Sequence, residues 1–400
     1  MTNLEVQSRD EEKVIYLDNT ATTFPKPASV LAKANEFYAN YGGNAGRGSN
    51  PLARSSARLL AETREMLADW LASPSLEKVI FTPSSTHALN QAICGASLNP
   101  GDVIYVSPFE HNSILRPIEH LRQTKGILVR QLPFNRRTFE CQLDKLSAAF
   151  RAQPPAMVCV TQASNVCGVM PPVPGIARLA KEANPQAVIV VDGTQTAGLY
   201  PLELNENLID AFIFSGHKSL YGPYGIAGLV LASTWRPIPL LFGGTGTFSE
   251  SVEMPTNLPT AYEAGSHNIW ATAGLNAALE WLKQTGRDNI VRHTFGLAKY
   301  LNSRLAALPN IEIHTPQNLS AWCGITSFTI EGVSPQSLES ALGSKGIAVR
   351  AGLHCSPWTH KWLGTLSSGG TVRVSPGYFN STSDIDKVSK VLEEFVIPLR

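Results

Sequence analysis

The sequence predicts an α/β protein: a mostly parallel sheet covered by helices on both faces, followed by a smaller α+β region. Three observations predict it. Short apolar runs rich in strand formers alternate with helix-patterned stretches from residue 79 to residue 191. The run over 187–191 stops abruptly at Asp192-Gly193-Thr194-Gln195. The run Ala211–Ser215 breaks at Gly216, delivers His217 and Lys218 to a polar turn, and leads through Tyr221-Gly222-Pro223-Tyr224-Gly225 into another apolar run over 226–232. Strand ends of this kind carry the ligand sites of open α/β sheets.

Taken in order, residues 14–17 read as a short strand, and the turn-rich stretch 18–27 leads into a helix over 28–38. Gly42, Gly43, Gly46 and Gly48 suggest a phosphate loop at first sight, but no Gly-Lys-Ser/Thr follows and no strand precedes with dinucleotide spacing. A flexible loop at a site or subunit contact is the better reading. Residues 55–72 carry a strong helical period. Strand and helix then alternate: 79–82 with 85–96, 103–107 with 113–122, 127–132 with 143–152, and 157–161 with 176–183. Further strands cover 188–191 and 212–214. The stretch 235–260 is rich in Gly, Pro and Thr and reads as a long loop over the site. Helices over 274–285 and 289–308 flank the expected junction, giving a large unit 15–285 and a small one 286–400 with segment 1–14 nearby. Strands at 311–313, 325–330, 349–351 and 372–374 and helices at 337–342 and 383–395 make up the small unit.

Four hundred residues suffice for one large domain and a smaller one. A hydrophobic content of 43% with 16% charged residues describes a chain with a substantial core. The net charge of +1 gives no support for nucleic-acid binding. The start, MTNLEVQSRDEEK, lacks the apolar centre of a signal peptide, and no apolar run is long enough to span a membrane. The expected compartment is the cytoplasm. None of the six cysteines forms a CxxC pair, so neither a zinc site nor a disulfide framework is expected. Cys94 and Cys159 sit in apolar runs as small core residues, whereas Cys355 lies in a polar, turn-like setting.

The chemistry centres on Lys218. A lysine between apolar walls is desolvated and serves as an amine nucleophile toward a carbonyl. Asp192 ends a strand 26 residues earlier. That lysine and that acid are the pair pyridoxal phosphate needs: one forms the Schiff base, the other keeps the pyridine nitrogen protonated. Thr82-Pro83-Ser84-Ser85-Thr86 joins a strand to a helix, where backbone N–H groups can hold a phosphate, although N-capping accounts for the same residues without a ligand. Arg373, in a short strand, is suited either to a two-pronged clamp on a carboxylate or to a structural salt bridge.

These pieces make the chain similar to the class V, fold-type I pyridoxal-phosphate enzymes of the cysteine desulfurase and selenocysteine lyase group. The matching stretches are YLDNTATTFPKP, GNAGRGSN, EHNS, SNVCG, VDGTQ, SGHKSLYGP, YEAGSHN, RAGLHC and GTVRVSPGYFN, in family order and over nearly the whole chain. The resemblance implies a seven-stranded, mostly parallel sheet between helices, with a smaller C-terminal α+β domain. It implies that Lys218 carries the cofactor, that His111 stacks on its ring, and that Asp192 pairs with the ring nitrogen. Gln195 then donates to the ring hydroxyl, Asn165 faces the ring hydroxyl or the substrate, and Ser85, Thr86, Ser215 and His217 hold the phosphate. Ser266 stands where the family usually has Thr, a hydroxyl that reaches the phosphate of the neighbouring subunit, which implies a homodimer with shared sites. Arg373 matches the carboxylate-binding arginine, with Asn19, Ala21 and Thr22 lining the same pocket. Cys355 matches the nucleophile that takes the sulfur as a persulfide, a task that needs an accessible thiolate near positive charge. No metal is expected.

Three functions fit. The first is release of sulfur or selenium from L-cysteine or L-selenocysteine to give alanine. The second is a C–S lyase or tailoring enzyme on an S-substituted cysteine: Trp358 and Trp362 flank the nucleophile loop and would shape a bulkier pocket, unless they are core aromatics. The third is a sulfur-relay protein that depends on an acceptor partner.

Overall fold

The computed structural model describes residues 14–396 apart from 47, 206 and 248. Its centre is a seven-stranded sheet in the order Val79–Thr82, Ala227–Leu231, Ala211–Ser215, Val188–Asp192, Met157–Thr161, Val103–Val106, Leu128–Gln131. Ala227–Leu231 runs antiparallel to both neighbours and every other pairing is parallel. The expected mostly parallel sheet is therefore what the chain builds. Apart from the exposed edge strand Leu128–Gln131, its strands are near-continuous apolar runs because both faces are covered. Val190, Ile213 and Leu229 face one core beneath the helices Ser85–Cys94 and Asn112–Lys125. Val191, Phe212, Phe214 and Val230 face the other, as the two-residue side-chain period requires.

Register decides where the chemistry goes. Thr161 pairs with Asp192, and Ser215 pairs with Ala227, which also pairs with Thr82. The ends of four strands thus meet along one edge of the sheet.

The C-terminal layer is a four-stranded antiparallel sheet in the order Arg350–Gly352, Thr371–Val374, Thr326–Ile330, Ile311–Ile313. The helices Arg287–Ala306 and Thr382–Val396 pack on it through Leu297, Leu301, Ile385 and Leu392. Ile15–Tyr16 pairs in parallel with Ile347–Ala348, so the described chain begins in this layer. Two residues are too few to show a period, and the sequence placed them at the start of the large unit.

Several boundaries differ from expectation for identifiable reasons. The helix Pro51–Trp70 starts four residues early because Asn50 caps it, accepting from Ala53 N at 3.0 Å, with Pro51 at its first position. Ile269–Thr285 likewise begins at a cap, Asn268, which accepts from Ala271 N at 3.0 Å. A short helix, Pro357–Leu363, follows the nucleophile loop where the sequence suggested no element; Pro357 opens it and Gly364, at φ 84°, closes it. Among the described residues, no helix is long and apolar enough to cross a membrane.

Candidate active site

At the common strand edge lies a cavity of about 220 Å³. Lys218, Ser215 and His217 reach it from the turn after Ala211–Ser215, and Asp192 and Gln195 from the end of Val188–Asp192. Asn165 follows Met157–Thr161, His111 precedes Asn112–Lys125, and Ser85 and Thr86 open their helix. Thr194, Ala163, Ser113 and Tyr224 also line it, and the sequence reading gave them no role. Tyr224 stacks on the His217 ring at 4.3 Å, a contact foreshadowed only by the aromatic within the glycine-rich stretch.

Lys218 is half-buried in the cavity wall, and burial is the main force lowering its amine to about 8; Asp192 pulls the other way. A desolvated amine near neutrality is both a nucleophile and a base. Asp192 Oδ1 accepts from Thr194 N at 2.9 Å, which fixes the carboxylate. His111 is the N-cap of its helix: Nδ1 accepts from Ser113 N at 3.0 Å, placing any single ring proton on Nε2. Burial and then Lys218 hold this imidazole down at about 4, so it is neutral at pH 7. The capping role that needs no ligand and the lining role thus coexist in one residue.

The residues expected to hold a phosphate offer donors. Ser84 caps Ser85–Cys94 by accepting from His87 N, leaving the N–H groups of Ser85 and Thr86 free of any side-chain cap. The Thr86 hydroxyl meets that of Ser113 at 2.8 Å. His217 Nδ1 and Thr194 Oγ1 are buried and have no hydrogen-bond partner. Buried polar atoms without partners in a cavity wall mark a place built for a ligand's atoms.

Cys355 is exposed, on a corner where His354 and Cys355 both take left-handed φ, 49° and 58°. Asn165 holds this corner: its Nδ2 donates to His354 O at 2.7 Å and its Oδ1 accepts from Ser356 Oγ at 2.8 Å. Asn112 N donates to Cys355 O at 2.8 Å. Both polar ends of the Asn165 side chain are therefore engaged with the loop. His354 is buried, and burial, then Arg373, holds it well below the usual imidazole range. It is neutral and offers the thiol no charge.

Arg373 lies outside the cavity lining, buried behind Asn165. It donates from Nη1 to Asn165 O at 2.8 Å, pairs with Asp18 through Nη2, and keeps a buried, unpartnered Nε. Both sequence-level alternatives are visible here: a salt bridge exists, and one donor remains. Arg350 faces it across the strand pair.

Asn19, Ala21 and Thr22 do not line this cavity. Asn19 donates to Ser375 O at 3.0 Å and accepts from Phe24 N at 3.2 Å, and Ala21 N donates to Asp18 O at 3.0 Å. Thr22 Oγ1 donates to His217 O at 2.9 Å. All three serve the turn architecture. Ser266 is exposed against Asn44 at 3.5 Å, also away from the cavity. None of residues 235–260 lines it. Trp362 packs edge-on against Phe109 at 5.0 Å and Phe139 at 5.1 Å, and Trp358 packs on the second core. Core packing accounts for both rings.

The family model for class V aminotransferases matches residues 15–388. The chain belongs to that family. It is 32% identical to a probable cysteine desulfurase of Pyrococcus abyssi, over 97% of this chain and 96% of that protein. A probable cysteine desulfurase of Halalkalibacterium halodurans is also 32% identical, over 95% and 93%. Among solved structures, an apo cysteine desulfurase from Thermococcus onnurineus superposes with a TM-score of 0.88 at 30% identity, covering 96% and 95% of the two chains. The Escherichia coli cysteine desulfurase CsdA, solved in an S-sulfonic acid form, gives 0.82 at 29% identity over 96% and 95%. The Thermococcus structure supports a cysteine desulfurase branch of the family as well as the fold.

Proposed function

We propose that this chain is a pyridoxal-phosphate-dependent cysteine desulfurase that converts L-cysteine or L-selenocysteine to alanine. The observation that carries the reading is one cavity holding a half-buried amine, a fixed carboxylate and unpartnered donors, beside an exposed, well-anchored cysteine. The residues fit the cofactor. Ser85, Thr86, Ser215 and His217 would hold its phosphate, Asp192 the ring nitrogen, His111 the ring face, and Lys218 the aldehyde carbon. Bound there, pyridoxal phosphate supplies an electron sink for charge developing at the substrate α-carbon. Lys218 Nζ removes and returns the α-proton, which a lysine lowered to about 8 can do near neutral pH. Arg373 does not line the cavity, and its unpartnered Nε is buried, so it would take the substrate carboxylate only once its contacts to Asn165 and Asp18 shift. Cys355 Sγ attacks the substrate sulfur; a new S–S bond forms, the C–S bond breaks, and its electron pair stays on carbon.

Cys355 stands at the surface on an ordered corner, which suits handing its sulfur to an acceptor protein. Exposed Leu241, Phe242 and Val252, with Ser266 turned outward, suit a second copy of this chain closing over the site.

The test is Cys355→Ala against Lys218→Ala. Lys218→Ala should lose the visible band of the bound cofactor. Cys355→Ala should keep that band and lose most alanine formation from cysteine, with a smaller loss from selenocysteine, whose selenium leaves more easily. Undiminished desulfuration of cysteine by Cys355→Ala would remove the nucleophile assignment. Pyruvate and ammonia as products would favour a C–S lyase instead.

A further inference from the structure

Lys26 carries a half-buried amine that the reaction outlined above does not use. Its Nζ donates to His217 O at 2.6 Å and to Thr23 Oγ1 at 2.8 Å, with Thr22 Oγ1 at 3.5 Å. All three partners are neutral oxygens, and among the described residues no carboxylate pairs with it. Burial alone lowers it to about 7. An ammonium taken out of water without an anion is costly, so such groups are ordinarily paired. Its partner His217 is a lining residue of the cavity, among those expected to hold a phosphate.

The hydrogen-bond pattern points the same way. His217 O also receives Thr22 Oγ1 at 2.9 Å and Thr23 N at 3.2 Å. Three elements of the turn 22–26 thus converge on one carbonyl, that of the residue whose ring enters the cavity. Around that ring stand Tyr224, stacked at 4.3 Å, and the amine of Lys218, which depresses the imidazole. His217 is neutral, since burial first and then Lys218 and Lys26 hold it at about 3. Of the two groups, the Lys26 amine is the one that a nearby anion can hold as a cation. Thr23 Oγ1, the same hydroxyl that accepts from Lys26 Nζ, donates to Lys218 O at 3.1 Å.

We propose that Lys26 is a positioning residue of the cofactor site: it fixes the His217 main chain and supplies the positive charge that a bound phosphate monoester balances. The inference rests on the cofactor reading above. Its test compares pyridoxal phosphate with pyridoxal, which lacks the phosphate, binding to the wild type, Lys26→Met and Lys26→Arg, followed by absorbance of the bound cofactor. Lys26→Met should bind pyridoxal phosphate at least tenfold more weakly, while pyridoxal binding stays within twofold of wild type. Lys26→Arg should recover most of the loss. If Lys26→Met does not fold, Lys26→Gln, which keeps a donor without the charge, should show the same selective loss. Unchanged pyridoxal phosphate affinity, or equal losses for the two forms, would overturn the proposal. A wild-type protein that binds neither form would overturn the cofactor reading itself, and is thereby distinguished from a failure at Lys26.

Discussion

Asn165→Ala should loosen the Cys355 corner without emptying the cofactor side of the cavity. The substitution removes the donor to His354 O and the acceptor from Ser356 Oγ, at 2.7 and 2.8 Å. His354 and Ser356 are only 5% and 0% exposed, so neither orphaned group reaches water in the closed loop. Two hydrogen bonds are worth about 1 kcal/mol each, and stranding their buried partners adds about 1 kcal/mol more, for roughly 3 kcal/mol in total. At 1.4 kcal/mol per factor of ten, the open loop should become about 100-fold more populated. The contact between Arg373 and Asn165 uses the backbone oxygen and survives the change. Native-state hydrogen exchange reads this directly. The amides of Ser356 and Asn112, bonded to Leu353 O and Cys355 O at 2.8 Å, should exchange about 100-fold faster. Amides in Met157–Thr161 should keep their rates. Acceleration of less than threefold at Ser356 would refute the assignment of Asn165 as the holder of this corner.

Two further outcomes follow from buried groups. Glu110 is fully buried, and burial raises its carboxyl from 4.5 to about 8, against the hydrogen bonds from Ser107 and Thr161. Its stabilising contribution is therefore complete below about pH 4.5 and is lost as pH rises through 8. Relative to wild type, Glu110→Gln should gain about 3 kcal/mol between pH 4.5 and 7, measured by denaturant unfolding at each pH; parallel pH profiles would show that Glu110 ionises normally. Trp362→Ala should cost about 3–5 kcal/mol of unfolding free energy, since its ring fills the space between Phe109 and Phe139. A loss under 1 kcal/mol, with altered selectivity for S-substituted cysteines, would instead return Trp362 to the substrate pocket.

The sheet was legible because each strand is an apolar run closed by a turn signal, as at Ser215-Gly216 and Asp192-Gly193. The side chains that converge on the cavity were legible for the same reason: strand ends of a parallel sheet share one edge. What lay outside the sequence's reach was every contact between distant segments. Asn165 followed a strand end and looked like a substrate ligand, yet its amide faces a loop 189 residues later. Asn19 and Thr22 stood in a matching motif, but only the fold reveals that their polar atoms are used by Ser375, Phe24 and His217. The helix Pro357–Leu363 was hidden because seven residues carry barely two turns of period.

The pairing of Asp18 with Arg373 joins positions 355 apart. Together with Ile15–Tyr16 lying beside Ile347–Ala348, it makes the start of the described chain wait for nearly its end. During synthesis the seven-stranded sheet has all its strands once residue 231 is made. The turn that seats His217, however, belongs to a segment whose own anchor, Ser375, emerges long after the last strand of that sheet. Such a closure has high contact order and forms late. A ribosome-bound fragment ending near residue 340 can hold its sheet and its lysine while lacking Arg350, Cys355 and Arg373. The amine of Lys218 is thus made well before the thiol of Cys355 and the guanidinium of Arg373.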